Sequence, residues 1–173
     1  MNLKSPLRGC FLVSPLVSYN FATPSYKRWF NTDVLSERIV REWGRHLTNN
    51  SPYHQDIAAG KGWAMALDVP EKWWEGLNVV DHILVTGGEE EVFRDHIVQF
   101  IEVLKRSVTK VKLTAHMATE AHDGPLLDFM AKRPPGESAQ LITAWIIARF
   151  KEDGKGGFDV GPDKAGPARQ MKM

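Results

Sequence analysis

Apolar residues fall along this chain in short continuous runs and in longer stretches of helical period. A polar, tryptophan-studded segment separates the first two runs. Residues 9–13, Gly-Cys-Phe-Leu-Val, and residues 83–85, Ile-Leu-Val, are continuous runs of the kind that suits strands of a parallel sheet covered on both faces. Val79 and Val80 extend the second run backwards, with Asp81 and His82 interrupting. Residues 108–115 predict a third strand of alternating character, with Val111 and Leu113 facing one way and Lys110 and Lys112 the other. Helical spacing is clearest at Phe93, Ile97, Phe100, Ile101 and Leu104, where Lys105 and Arg106 favour the carboxyl end of the helix dipole. A second helix begins at a Ser36 cap and turns Ile39, Val40, Trp43 and Leu47 inward until Asn49-Asn50-Ser51-Pro52 stops it. A last helix, capped by Ser138, points Leu141, Ile142, Trp145 and Ile146 inward, and Leu126, Leu127 and Phe129 pack as a short turn before it.

The order strand, insert, strand, helix, strand, loop, helix is an α/β arrangement with about three parallel strands, occupying residues 1–151. Residues 18–78 are too long for a simple connection and read as a cap or lid, whose aromatics either line an apolar pocket or form the insert's own small core. Residues 152–173 carry glycine, proline, lysine and aspartate with almost nothing to bury, and read as a disordered tail.

Bulk composition changes this picture only at its edges. A net charge of +1 with scattered lysines and arginines provides no electrostatic footprint for nucleic acid. No apolar run approaches a membrane span, and the first residues lack the layout of a secretory signal, so a cytoplasmic location is expected. The single cysteine, Cys10, fits a reducing compartment and reads as a small core residue.

Candidate chemistry concentrates at the end of the second strand. Gly87-Gly88 predicts a tight turn, after which Glu89-Glu90-Glu91 opens a helix with acid in its first turn. In open α/β sheets, ligands and catalytic groups gather at the carboxyl ends of strands. Carboxylates also favour a helix amino terminus for purely structural reasons. The loop after the third strand holds His116, Glu120 and His122. An acid after one strand and a histidine after the next is a recurrent hydrolase pairing, in which the acid orients the imidazole and the imidazole deprotonates a nucleophile. Other motifs carry less. Ser107-Val108-Thr109-Lys110 has a Ser-x-x-Lys spacing, but at the end of a helix rather than its start. No helical His-Glu-x-x-His or cysteine pair supports a metal, so none is expected, and no cofactor motif is present. The triply acidic loop after Gly87-Gly88 would repel phosphate, and Gly154-Lys155-Gly156-Gly157 falls in the tail.

Four segments together carry a resemblance. Ser14-Pro15-Leu16-Val17-Ser18 with Ser25-Tyr26-Lys27-Arg28, then Pro70 through Leu77, then Ile83 through Asp95, then Ala121-His122-Asp123 resemble fungal α/β-hydrolase-fold ester hydrolases of the hormone-sensitive-lipase-like type, over residues 8–151. The resemblance implies an α/β-hydrolase fold, a small acyl-ester substrate of the kind met in secondary metabolism, and no cofactor. It puts Glu91 at the family's acid position, with Glu90 and Glu89 as alternatives, and His122 at its histidine position, with His116 second. The departure is at the nucleophile. None of the eight serines stands in Gly-x-Ser-x-Gly, and no His-Gly-Gly oxyanion loop is present. The resemblance therefore implies the carboxyl-terminal half of such a fold, inactive alone. Two alternatives follow: a non-catalytic pseudoenzyme or binding module, or one half of a two-chain hydrolase that pairs with a separate amino-terminal half; alone, such a chain is expected to self-associate through the exposed edge of its sheet.

Overall fold

The computed structural model describes residues 5–49, 51–52, 54–58, 66–67 and 69–151. Trp63, the Asn50 helix stop and the predicted tail at 152–173 lie outside them. Three parallel strands, β1 (Cys10–Val13), β2 (His82–Gly88) and β3 (Lys112–Ala118), lie side by side in chain order. Cys10 pairs with Ile83 and His82 with Lys112, so Phe11, Leu84 and Thr114 share one register row. β2 is central, and its residues from Ile83 onward are buried. The flanking strands are not: β1 is mostly half-buried and β3 exposes Lys112, Thr114 and Ala115. The expectation of strands covered on both faces therefore holds only for β2. Val80 does not extend β2; it forms an isolated parallel bridge with Leu7. The third strand begins at Lys112 and runs three residues past the expected end at 115, because the β2 glycines Gly87 and Gly88 remain in register with Met117 and Ala118.

Six helices accompany the sheet among the described residues: α1 (Pro24–Arg28), α2 (Glu37–Asn49), α3 (His54–Ala58), α4 (Arg94–Ser107), α5 (Gly124–Met130) and α6 (Glu137–Lys151). The α4 periodicity does what its spacing requires, burying Ile97, Phe100, Ile101 and Leu104 against Ile83, Val85 and Val111. Ser36 caps α2 by accepting the Ile39 amide at 3.4 Å, and Val40 is fully buried, but Trp43 stays 48% exposed. The segment expected as a packed turn is helix α5, and Phe129 within it is 81% exposed rather than packed. On α6 only Ser138 and Ile142 are buried; Trp145 lies against Gly9, whose missing side chain makes room for the indole.

The start of the insert is not a separate small core. Tyr26, Leu35 and Val40 join the cluster that includes Val92, Phe93 and Ile97, and Tyr26 stands edge-on to Phe93 with ring centroids 6.3 Å apart. Further along, Trp74 meets Phe100 of α4 at 5.3 Å and donates its indole N–H to the Ala66 carbonyl. A bidentate contact from Arg106 to Glu71 holds the same short 3-10 turn, Glu71–Trp74, to the end of α4. Exposed ion pairs of this kind add only about 0–1 kcal/mol, so the aromatic contact dominates this attachment.

Candidate functional site

Three chain segments converge at the carboxyl edge of the sheet: the end of β1 at Ser14, the turn after β2 at residues 89–93, and the loop from β3 to α5. The two glycines do not make the turn. Gly87 and Gly88 are the last residues of β2, neither has a positive φ, and Gly88 is needed for close approach. A β-carbon on Gly88 would stand 2.1 Å from the Glu120 carbonyl oxygen and 3.0 Å from that of Ala121. Glycine here lets the histidine-bearing loop lie directly on β2. Two backbone bonds then lock turn to loop, Glu89 N–H to the Ala118 carbonyl at 2.7 Å and Glu90 N–H to that of Glu120 at 3.1 Å.

The three glutamates precede α4 rather than opening it; α4 starts at Arg94, and Asp95 is the acid in its first turn. Their side chains separate by role. Glu89 pairs with Arg94 at 2.8 Å. Glu90 is half-buried, whereas Glu91 has no exposed surface at all. Oε2 of Glu91 accepts the Ser14 hydroxyl at 2.7 Å and stands 3.6 Å from Nδ1 of His122. Neither Oε1 of Glu91 nor Nδ1 of His122 has a hydrogen-bond partner among the described residues, so the acid and the imidazole face each other at ion-pair distance. The geometry thus distinguishes Glu91 from its neighbours: it is the glutamate that meets His122. His116 takes a different course, facing Glu137 at the start of α6 at 3.3 Å.

His122 is held on several sides. The Phe93 ring meets it edge-on at 5.0 Å, and Nε2 lies 3.4 Å from Oδ2 of Asp123, the next residue. Burial by itself would depress the imidazole pKa. The interaction with Glu91 and the charges of Asp123, Glu91 and Asp33 outweigh it, and the ring is held above its ordinary value. Asp123 has φ 53, a left-handed conformation that turns the chain sharply into α5.

Two further residues of the site were given no role from the sequence: Ser14, which heads one of the four resembling segments, and Asp33, which lies in none. Ser14 closes β1 and donates to Glu91. Asp33 lies in the insert, accepts the Val92 N–H at 2.6 Å and caps the Leu35 N–H at 3.2 Å. Ser25 of the insert adds a second clamp, donating its backbone N–H to Asp95 at 2.8 Å and its hydroxyl to the Val92 carbonyl at 2.7 Å. The signal that could have found Ser14 is topological: a polar residue at the carboxyl end of a predicted strand beside the acid-bearing one. Asp33 left no such trace. Among the described residues, no group of three or more His, Cys, Asp and Glu side chains is placed to hold a metal ion. Nor is any helix among them long and apolar enough to cross a membrane.

Solved structures similar in fold to this chain include esterases. A thermostable esterase from Pseudomonas putida ECU1011 matches with a TM-score of 0.56 at 23% identity, over 68% of this chain and 34% of its own. A variant of esterase rPPE complexed with (S)-Ac-CPA matches at 0.60 and 23% identity, over 74% of this chain and 37% of its own. Carboxyl esterase 2 from the mycorrhizal fungus Tuber melanosporum matches at 0.62 and 16% identity, over 86% of this chain and 46% of its own. No protein-family model and no curated protein sequence matches the chain. At these identities the likeness is one of fold. The chain has part of an α/β-hydrolase fold, of the form found in bacterial and fungal esterases, and spans between 34% and 46% of the length of the esterases named.

Proposed function

We propose that this chain carries the acid and the base of a serine ester hydrolase, Glu91 and His122, and that the nucleophile and oxyanion donors come from outside it. The observation that supports this reading is the buried Glu91 carboxylate meeting Nδ1 of His122 at the carboxyl edge of the sheet. With Nδ1 turned to the acid, Nε2 is the atom that works. It takes the proton of a serine hydroxyl as that oxygen bonds to the ester carbonyl carbon, then returns it to the alcohol as the ester C–O bond breaks. Water repeats the cycle against the acyl-serine. Glu91 orients the ring and stabilises the imidazolium. Asp123 stands beside Nε2 in the present arrangement, its side chain 35% exposed, and under this reading it must move aside for a serine to reach Nε2.

The substrate class under this reading is a small acyl ester. No serine of the chain stands in a Gly-x-Ser-x-Gly elbow, so the purified 173-residue protein should not turn over a short p-nitrophenyl ester above the imidazole background. Turnover that disappears in His122→Ala would show that the chain is catalytically complete and overturn this part of the reading.

A second reading, of one half of a two-chain hydrolase or a binding module that no longer catalyses, has its own support. β1 lies at the sheet edge, with Leu7 and Phe11 exposed at 55% and 47%. Among the described residues no strand pairs with its outer edge, and an edge flanked by apolar side chains invites strand addition. Expressed alone, the chain is expected to elute as oligomers in size-exclusion chromatography; a sharp monomer peak with a cooperative thermal transition counts against it.

A further inference from the structure

The Ser14 side chain bridges the acid and the residue that follows the histidine. Its hydroxyl donates to Oε2 of Glu91, the oxygen facing His122, at 2.7 Å, and accepts the backbone N–H of Asp123, the residue after His122, at 3.1 Å. Both hydrogen-bonding functions of the hydroxyl are thereby used inside the site, and Ser14 is only 4% exposed. Its own N–H continues the β1–β2 ladder to the Thr86 carbonyl at 2.8 Å, so the hydroxyl is anchored to the sheet. Its backbone is also unusual. Ser14 has φ 43 although it precedes Pro15, a position where extended conformations are preferred. A non-glycine residue held there persists only where its surroundings over-determine it, and such residues cluster at working sites. A serine that merely ended a strand would need neither that conformation nor a partner 77 residues away and another 109 residues away.

We infer that Ser14 is a positioning residue for the pair: it turns Oε2 of Glu91 toward Nδ1 of His122 and fixes the start of α5 at the same distance from the acid. It is not a nucleophile, because its hydroxyl proton is given to a buried carboxylate and its lone pair to a backbone amide. The inference rests on the proposed roles of Glu91 and His122, and it adds the link that sets their separation. The groups that face His122 from each packed element are Glu91 and Asp33 on the acid side and Asp123 on its own loop. Ser14 acts on the first of these.

The test reads His122 directly in the full chain, by NMR titration of histidine-selectively labelled protein. Ser14→Gly removes the hydroxyl while suiting the positive φ, and Ser14→Ala removes it without adding backbone freedom. Glu91→Gln serves as the reference. In both Ser14 variants the His122 midpoint should fall by at least about half a pH unit, toward that of Glu91→Gln, because the carboxylate is no longer aimed at the ring. A midpoint that stays put or rises in either folded Ser14 variant, while Glu91→Gln lowers it, overturns the positioning role alone. If Glu91→Gln itself leaves His122 unmoved, the acid–base reading fails instead.

Discussion

Joined to a segment that supplies a Gly-x-Ser-x-Gly elbow and oxyanion donors, the chain is expected to hydrolyse a short acyl ester, and His122→Ala is expected to lower kcat by about 10⁴- to 10⁶-fold. The size follows from how such groups act. Serine is a weak nucleophile at its own pKa, and the imidazole both accepts its proton and returns it to the leaving alcohol, so losing the ring stops two steps at once. Glu91→Ala should cost less, about 10³- to 10⁴-fold, because a misoriented imidazole retains some basicity. His116→Ala should leave the rate within about threefold, an estimate drawn from the small effect of substitutions away from the reacting groups; His116 faces Glu137 and not Glu91. Steady-state kinetics on the three variants settle the assignment. Equal losses for His116→Ala and His122→Ala would refute it.

Glu91→Ala is also expected to be the most damaging single change to stability near the site, by about 3 kcal/mol, since breaking a buried pair from one side leaves the other partner unsatisfied. Ser14 loses its acceptor and His122 its carboxylate in the same step. For a chain of 173 residues that corresponds to a fall in Tm of roughly 6–12 °C, measurable by calorimetry. Its pH dependence has a definite sign. The His122 pKa is raised in the folded chain, so the folded state binds a proton that the unfolded state releases at its ordinary value near about 6.5. That stabilisation is fully present below the unfolded pKa and is lost as pH rises through the higher folded one. The gap in Tm between parent and His122→Ala should therefore narrow on going from about pH 6 to above the folded pKa. A gap that widens over this range would contradict the ion pairing of His122.

Much of the fold was legible because period and burial are coupled locally. The α4 stripe from Phe93 to Leu104 has to meet a core, and the run 83–85 has to be an inner strand; both do so. Trp43, Trp145 and Phe129 were less legible, because whether an apolar residue of a helix is covered depends on what stands opposite it. Trp43 and Phe129 find nothing that covers them among the described residues, and Trp145 finds Gly9. The glycine pair was misread for a related reason. Sequence marks Gly87 and Gly88 as permissive backbone, and permissiveness suits a turn or a close approach equally; only the Glu120 carbonyl lying against Gly88 decides between them.

For the site, the sequence by itself determined that acids follow the second strand and that His122 follows the third, and with the family resemblance it ranked Glu91 and His122 first; His116, expected in the same loop, lies within β3 instead. Composition and spacing alone could not separate three consecutive glutamates, since neighbours in a turn differ only in where they point. Tertiary structure made that separation: Glu91 is fully buried against Ser14 and His122, Glu89 turns to Arg94, and Glu90 remains half-exposed. It also brought in Ser14 and Asp33, from the end of β1 and from the insert, across separations of 77 and 59 residues. A hydrogen bond over such a span has no local signature. It exists only once parallel strands have set the carboxyl ends of β1, β2 and β3 beside one another.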